Sequence, residues 1–311
     1  PGRTLMLRDQ SDGEYWSLSW APTMDRKYDH LEARHGLGYT HISTLYKGVR
    51  SDLTYFVPTD LPGEIWRVHL ENKGSQTIKL DLFAFAEVLM GNALNDQINQ
   101  PNDKHFTDVH FNPKDQVLEA SRRYWVLNRG VSVAQPNLSW PFELKFFCTQ
   151  AVSAFDGSLD KFIGRWRSES NPITIEKGQL GNSEITAGDA VMALQTGFSL
   201  EPGQSIDLAF IMAIKQTEAS PVEFAAPAEW ELSQWNDIKH IDAAFDHLKK
   251  SWETRLSGFS AETPDLVFNQ MTSVWNAYQS AVTFDMARNA GYYHGGLLFG
   301  TGMRDQFQDI L

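Results

Sequence analysis

The feature that most restricts the fold of this chain is an alternation of apolar and polar side chains that recurs over roughly the first 220 residues. Residues 64–70 alternate, residues 72–74 have the composition of a turn, and residues 78–82 alternate again. The same pattern returns at residues 206–214, after the turn sequence at residues 201–203. A period of two indicates β-strands that bury one face, and residues 64–82 are predicted to form a hairpin.

Further short strands are predicted in the same part of the chain, at residues 39–42, 53–57, 124–127 and 142–147. Many short strands at such spacing favour an antiparallel β-sandwich. Strands and helices do not alternate here, which argues against a doubly wound nucleotide-binding fold.

The pattern becomes helical at about residue 221, after an Ala- and Pro-rich segment at residues 219–228 that is predicted to be a linker. Apolar residues then recur at steps of three and four: Trp230, Leu232, Trp235, Ile238, Ile241, Phe245, Leu248 and Trp252. Thr263 and Pro264 are typical of a helix start, with Thr263 as the cap. A second apolar stripe, predicted to face a core, continues to about Arg288: Phe268, Met271, Trp275, Tyr278 and Val282.

The predicted organisation is a β-sandwich domain at residues 1–220, a helical linker at 221–263 and the first part of an all-α domain at 264–311. The chain begins with Pro1 and ends inside a cluster of polar residues. We therefore expect it to be a piece of a longer protein.

The amino-acid composition limits the classes of binding partner and indicates the cellular compartment. The formal net charge of -12 makes nucleic acid and anionic membranes poor partners, and no apolar run approaches the ~20 residues of a membrane helix. The single cysteine, Cys148, cannot form a disulfide within the chain, which favours a reducing compartment and predicts a cytoplasmic location.

A polar cluster at residues 304–309 is the strongest candidate site. On a helix, Arg304 would share a face with Gln308, and Asp305 with Asp309. Carboxylates accept pairs of sugar hydroxyls and a guanidinium donates directionally, so the cluster suits a polyhydroxylated ligand. The alternative is an ordinary charged first turn of a helix, where Asp305 is favourable.

The residues around this cluster indicate no metal, nucleotide or nucleophile site. Gly295, Gly296, Gly300 and Gly302 lack the strand that precedes a dinucleotide fingerprint, and a loop close to a ligand fits them better. His294 is either a ligand donor or structural, and the histidines show no metal-ligand spacing. No Gly-x-Ser-x-Gly motif occurs.

Two other sets of residues carry open alternatives. The amide- and acid-rich residues 91–105 are either a solvated loop or a loop that covers a neighbouring active site. Several tryptophans either pack in the core or stack on sugar rings: Trp16, Trp20, Trp125, Trp140 and Trp166.

Several stretches together resemble glycoside hydrolase family 94, the family of the cellobiose, cellodextrin, laminaribiose and chitobiose phosphorylases. They are Leu-Arg-Asp at 7–9 with Gly-Glu-Tyr-Trp-Ser at 13–17 and Trp20, residues 35–40, residues 54–58, residues 64–66, Trp-Asn-Ala-Tyr-Gln at 275–279, and residues 302–311. The resemblance spans nearly the whole chain. Where many members have Arg-Asp-Ser-Asn-Gln-Asp, this chain has Arg-Asp-Gln-Phe-Gln-Asp at 304–309.

The resemblance implies a β-sandwich, a helical linker and an (α/α)6 barrel, of which this chain contains only the first part. It implies inverting phosphorolysis of β-glucosidic bonds in gluco-oligosaccharides of the cellobiose or cellodextrin type, giving α-glucose 1-phosphate. Inorganic phosphate is then the co-substrate and no cofactor or metal is expected. Arg304 and Asp305 would contact the glucosyl unit, with Gln308 and Asp309 beside them, and no catalytic residue is expected before Leu311.

The resemblance also implies a homodimer in which residues 92–105 of one β domain lie near the partner's active site. Two alternatives remain open at this point. One is a hydrolase with a similar barrel and a second carboxylate that activates water. The other is a non-catalytic carbohydrate-binding or assembly role for the β-sandwich.

Overall fold

Antiparallel strands form two sheets in the first of the two units into which the chain divides, residues 1–245 and 246–311. The structure, a computed structural model, describes residues 2–88, 90, 106–123, 140–217 and 229–287. The strands in this described part are β1 (Thr4–Asp9), β2 (Tyr15–Ser17), β3 (His30–Gly36), β4 (Tyr39–Tyr46), β5 (Val49–Phe56), β6 (Gly63–Asn72), β7 (Ile78–Glu87), β8 (Thr107–Asn112), β9 (Val117–Arg122), β10 (Phe142–Cys148), β11 (Ala154–Ser158), β12 (Ala190–Leu200) and β13 (Ser205–Gln216).

The smaller sheet has the order β11-β12-β7-β1-β2, and the larger sheet has the order β3-β4-β5-β6-β13-β10-β9-β8. Every strand pair in the two sheets is antiparallel. The two sheets share one hydrophobic core. The predicted antiparallel β-sandwich is therefore confirmed.

Trp66 lies at the centre of the core between the sheets and is fully buried. Its ring centroid lies 5.1 Å from that of Phe146 and 6.5 Å from that of Phe210. Leu7 and Leu82 of the smaller sheet belong to the same cluster. Removing an aromatic side chain with this burial typically costs about 3–5 kcal/mol, so Trp66 contributes strongly to the stability of the sandwich.

Two short helices, α1 (Leu159–Ile163) and α2 (Ile173–Lys177), cover the outer face of the smaller sheet. Phe162 of α1 packs on Phe85 of β7, with ring centroids 4.6 Å apart. Because this strand is covered on both faces, residues 80–86 are all buried.

β6 and β7 do not pair, so the predicted hairpin at residues 64–82 is wrong. β6 pairs with β5 and β13, whereas β7 pairs with β1 and β12. The segment between β6 and β7 crosses from one sheet to the other, and Nδ2 of Asn72 holds it by donating to the carbonyls of Gln76 at 2.8 Å and Leu200 at 2.9 Å. A β-hairpin and a connection between two sheets both need strands in which apolar and polar residues alternate. The alternation in the sequence therefore could not distinguish the two.

Helices α3 (Leu232–Trp235) and α4 (Ile238–Leu256) follow the β-sandwich, in the region predicted to be helical. Near the start of α4, Asp242 accepts a hydrogen bond from Nε of Arg67 on β6 at 2.9 Å. The ring of Phe245 lies 5.0 Å from that of Tyr39 on β4, centroid to centroid. An ion pair and an aromatic contact thus attach the first half of α4 to the larger sheet.

The second unit contains α5 (Leu266–Gln270), a π-helical turn (Met271–Trp275) and α6 (Asn276–Ala287) in one continuous segment. Its cap is Asp265, whose Oδ1 accepts from the backbone N–H groups of Val267 and Phe268. The predicted cap, Thr263, is therefore two residues too early, because Thr and Asp are both good caps and only the backbone decides between them.

Three of the five residues in the apolar stripe on this segment are exposed and not buried as predicted, while Tyr278 and Val282 are partly buried. Phe268, Met271 and Trp275 are all exposed in the described part of the second unit. Trp275 contacts Tyr278, with ring centroids 6.0 Å apart, and Tyr278 in turn contacts Trp252 at 4.7 Å. The helical spacing predicted the stripe, but the described residues supply few partners for it.

Candidate functional site

The residues predicted to contact a sugar lie outside the described part of the chain. This applies to Arg304, Asp305, Gln308 and Asp309, to His294, and to residues 92–105. Their roles remain predictions.

Within the described residues, a polar cleft of about 680 Å³ lies beside the first of the stretches singled out in the sequence, residues 7–9 and 13–17. It opens where the end of β1, the β4–β5 turn and the crossing between β6 and β7 meet. Its lining residues are Asp9, Gln10, Ser11, Lys47, Asn72, Gly74, Ser75, Gln76, Thr77, Ile78 and Lys79.

Lys47 is the centre of an ionic cluster at one end of this cleft. Its Nζ lies 2.9 Å from Oδ2 of Asp9, 2.6 Å from Oδ2 of Asp12 and 3.3 Å from Oε2 of Glu14. The lysine belongs to the two-residue turn between β4 and β5 and has a φ of 49°, while the next residue, Gly48, has a φ of 73°. Positive φ at both positions is the geometry of a tight hairpin turn, which directs the lysine toward the three carboxylates.

The contacts of the cluster shift the pKa values of three of its members toward the charged forms. Burial by itself lowers the pKa of Lys47, but hydrogen bonds to Asp12 and Asp9 outweigh burial and raise it. Burial acts to raise the pKa of Asp9, yet hydrogen bonds from Ser11 and Lys47 lower it below the ordinary value. The hydrogen bond from Lys47 also lowers the pKa of Asp12. The charged forms of Lys47, Asp9 and Asp12 are therefore more stable in the cluster than in water.

The cluster extends to the stretch at residues 13–17. Oε1 of Glu14 accepts a hydrogen bond from the hydroxyl of Tyr46 at 2.6 Å and lies 3.4 Å from Nε of Arg26. The ring of Tyr46 packs on that of Trp16, with centroids 5.2 Å apart. These contacts hold the β1–β2 turn of the smaller sheet against the β4–β5 turn of the larger sheet.

This arrangement is structural in its chemistry. A lysine with a raised pKa stays protonated and is a poor nucleophile or base, and carboxylates with lowered pKa values are poor proton donors. Two amides of the cleft are also engaged, since Nε2 of Gln10 donates to Asp81 at 3.0 Å and Oδ1 of Asn72 accepts from the N–H of Gly74 at 2.9 Å. Around Lys47 the cleft thus offers a fixed polar surface, and Lys47, Asp9 and Asp12 are not suited to act as a base, a nucleophile or a proton donor.

Sequence reasoning missed this cluster. The signal in the sequence was three acidic residues within residues 9–14 and a Lys-Gly turn far along the chain. Only the topology of the two sheets shows that the acidic residues and the Lys-Gly turn lie next to each other.

Two further buried titratable groups, Cys148 and Asp156, also lack the surroundings of a catalytic residue. Burial raises the pKa of the Cys148 thiol to about 12, so it is not an activated nucleophile. Asp156 is fully buried and accepts hydrogen bonds from the N–H groups of Gly181 and Ser183 and from the Ser183 hydroxyl. Burial raises its pKa, while these hydrogen bonds act against that shift. Among the described residues, no group of three or more His, Cys, Asp or Glu side chains is arranged to hold a metal ion.

The tryptophans separate into two groups. Trp16 is buried and Trp140 is partly buried against the core, as expected for packing residues. Trp20 is 41% exposed and Trp166 is fully exposed, at 101%. Trp125 lies outside the described residues.

No helix in the described part of the chain has the length and apolar character needed to cross a bilayer.

Comparison with known protein families gives two matches in series. Residues 1–229 match the model of the glycosyl hydrolase 94 supersandwich domain, and residues 251–311 match that of the glycosyl hydrolase 94 superfamily catalytic domain.

Curated relatives align over nearly the whole of this chain. An N,N'-diacetylchitobiose phosphorylase of Vibrio furnissii is 28% identical over 100% of this chain and 36% of its own length. A solabiose phosphorylase of Paenibacillus borealis is 23% identical over 99% of this chain and 36% of its own length. The cyclic beta-(1,2)-glucan synthase NdvB of Rhizobium meliloti (strain 1021) is 27% identical over 100% of this chain, which covers 10% of that protein. The chain thus spans about a third of the length of the phosphorylases that it matches.

Proposed function

Because this chain belongs to glycosyl hydrolase family 94, we propose that the full-length protein is an inverting glycoside phosphorylase. The observation that carries the proposal is the order of the two family domains, which together match residues 1–229 and 251–311. The names of the diacetylchitobiose and solabiose relatives support the same reaction class.

The proposed reaction transfers a glycosyl group from a β-linked oligosaccharide to inorganic phosphate. A carboxylic acid donates its proton to the glycosidic oxygen as the bond from that oxygen to the anomeric carbon breaks. A phosphate oxygen attacks the anomeric carbon from the opposite face and forms the new bond. Inversion then gives an α-sugar 1-phosphate and a free acceptor sugar, and phosphate replaces the base-activated water of an inverting hydrolase.

Within this chain we assign sugar binding to Arg304, Asp305, Gln308 and Asp309. Carboxylates and a guanidinium can bind hydroxyls of the reacting sugar, and such hydrogen bonds accelerate the reaction where they strengthen in the transition state. We assign the proton donor to the part of the catalytic domain that follows Leu311. Phosphate is the co-substrate, with no organic cofactor or metal.

For the substrate we propose a β-linked gluco-oligosaccharide of the cellobiose or cellodextrin type. The relatives named for diacetylchitobiose and solabiose make these two sugars the first competitors in a substrate test. We further propose a cytoplasmic homodimer in which residues 92–105 of one subunit lie near the active site of the other. Light scattering of the full-length protein tests the dimer, and a monomer would remove this role for the loop.

The reaction class is tested by supplying the full-length protein with cellobiose, cellodextrins, diacetylchitobiose or solabiose, with and without inorganic phosphate. We expect a sugar 1-phosphate to accumulate only when phosphate is present. Release of free sugars at the same rate without phosphate would instead indicate the hydrolase. No turnover of any substrate, together with binding to the same sugars, would favour the non-catalytic role.

A further inference from the structure

The loop between α1 and α2 presents Trp166 in an unusual way. The side chain is fully exposed, and the backbone at Trp166 has a φ of 62°. Positive φ is strained for a bulky side chain, and strain of this kind persists only where the surrounding structure fixes the conformation. A tryptophan is also among the most costly side chains to leave in water.

The structure on both sides of Trp166 does fix the conformation. Before it, Gly164 has a φ of 85° and approaches Ile173 so closely that an added Cβ would lie 2.9 Å from Cγ2 of that residue. The hydroxyl of Thr174 donates to the carbonyl of Phe162 at 3.0 Å, which closes the base of the loop.

After Trp166, the loop is closed by its own polar side chains. The N–H of Ser168 donates to Oδ1 of Asn171 at 2.9 Å, and the N–H of Asn171 donates to the carbonyl of Ser168 at 3.1 Å. Nη1 of Arg167 donates to the carbonyl of Asn171 at 3.2 Å and forms an ion pair with Glu176 on α2. The indole is therefore presented by an ordered loop.

The surroundings of the indole indicate the chemistry of a partner. Its neighbours Arg165 and Ser168 are exposed and polar, and the polar residues Glu169 and Ser170 follow in the same loop. A stable protein interface needs a broad apolar centre and about 800 Å² on each side, which one tryptophan among polar residues does not supply. A β-linked pyranose fits better, because its C–H face is apolar and its hydroxyls form a polar rim.

We propose that Trp166 is a surface stacking site for a β-linked carbohydrate chain, located on the β-sandwich unit. The indole face stacks on one pyranose ring, and Arg165, next to it in the chain, donates to hydroxyls at the ring edge. The proposal rests on the proposed function for its choice of carbohydrate. The role of the stacking site is to hold long substrates. Its loss should therefore weaken the binding of polymers and leave the turnover of disaccharides unchanged.

The test uses the full-length protein with three forms, wild type, Trp166→Ala and Trp166→Tyr. Binding of long soluble cello-oligosaccharides and chito-oligosaccharides is measured by calorimetry without phosphate, and disaccharide phosphorolysis is measured separately. We expect Trp166→Ala to weaken oligosaccharide binding roughly tenfold, as loss of one stacked ring implies, and Trp166→Tyr to restore most of it. The kcat/KM for the disaccharide should be the same in all three forms.

Acrylamide quenching gives a second readout. The quenchable fluorescence of the full-length protein should fall in Trp166→Tyr and, in the wild type, should be protected by a bound oligosaccharide. Equal oligosaccharide affinity in all three forms, or an indole that acrylamide cannot reach in the full-length protein, would overturn the proposal. Absence of phosphorolysis with intact, Trp166-dependent binding would contradict only the proposed reaction and leave the stacking site standing.

Discussion

Nζ of Lys47 lies 2.9 Å from Oδ2 of Asp9, and this ion pair joins the two sheets of the sandwich. Asp9 ends β1 in the smaller sheet, and Lys47 lies in the turn between two strands of the larger sheet. The Asp9 side chain is only 7% exposed and that of Lys47 is 23% exposed, so solvent screens the pair less than a surface ion pair. The contact holds residues 7–9, the first stretch that resembles the family, against the larger sheet.

Replacing Lys47 with Met should destabilise the protein by about 1–3 kcal/mol, because it leaves the buried Asp9 carboxylate without its cation. The matched control is Lys73→Met, since Lys73 pairs with Glu71 but is 48% exposed, and its loss should cost less than about 1 kcal/mol. Denaturant unfolding of both variants measures the difference. An equal loss of unfolding free energy in the two variants would show that the Lys47 cluster stabilises the fold no more than a surface ion pair does.

The same cluster predicts a loss of stability in acid. The folded-state pKa values of Asp9 and Asp12 lie below the ordinary value of 3.8. The contribution of the two carboxylates is thus fully present above that pH and is lost as the pH falls through their lowered values. Unfolding measured from neutral pH down to about pH 2 should show a steeper loss of unfolding free energy for the wild type than for Lys47→Met. If the unfolding free energies of the two proteins had the same dependence on pH, the cluster would be ruled out as the source of the acid sensitivity.

Gly63→Ala should prevent correct pairing of β6 and β13. A Cβ at this position would lie 2.6 Å from Cα of Ala213, a distance that real Cβ contacts essentially never show. Backbone must then shift in the larger sheet, and we expect a loss of several kcal/mol or failure to fold. Gly258→Ala is the control, because nothing lies within 4 Å of its Cβ position. Comparable soluble yield and melting temperature for the two variants would contradict the packing described for β6.

Asp305→Asn in the full-length protein should lower kcat by a factor of roughly a hundred or more while the melting temperature stays unchanged, because the amide replaces the carboxylate that we propose as an acceptor of sugar hydroxyls. Asp60→Asn, at an exposed position of the sandwich, should leave turnover unchanged. Near-normal kinetics for Asp305→Asn would show that its carboxylate is an ordinary charge at a helix end.

The sequence predicted the class of fold but not the pairing of strands. Alternation around Trp66 and Leu82 identified strands with a buried face, which was enough for a sandwich. It could not show that Asn72 ends a strand of one sheet and the chain then enters the other, because register and sheet identity depend on distant partners such as Leu200. The helix start was misplaced for a similar reason, since Thr263 and Asp265 have comparable local preferences.

Among candidate sites, sequence reasoning was limited in a different way. It selected residues 304–309 by residue type, and these lie outside the described part of the chain. It did not find the Lys47 cluster, whose members lie on separate turns, and it gave Trp166 no preference over the buried Trp16. Exposure and backbone strain, which distinguish the two tryptophans, arise only in the folded structure.

The anomeric form of the first product tests the account most directly. The full-length protein is incubated with a β-linked disaccharide and inorganic phosphate, and the early time course is followed by proton and phosphorus NMR. We predict an α-sugar 1-phosphate as the first product, in step with release of the acceptor sugar. A β-sugar 1-phosphate, or free sugar without any phosphate ester, would contradict inverting phosphorolysis.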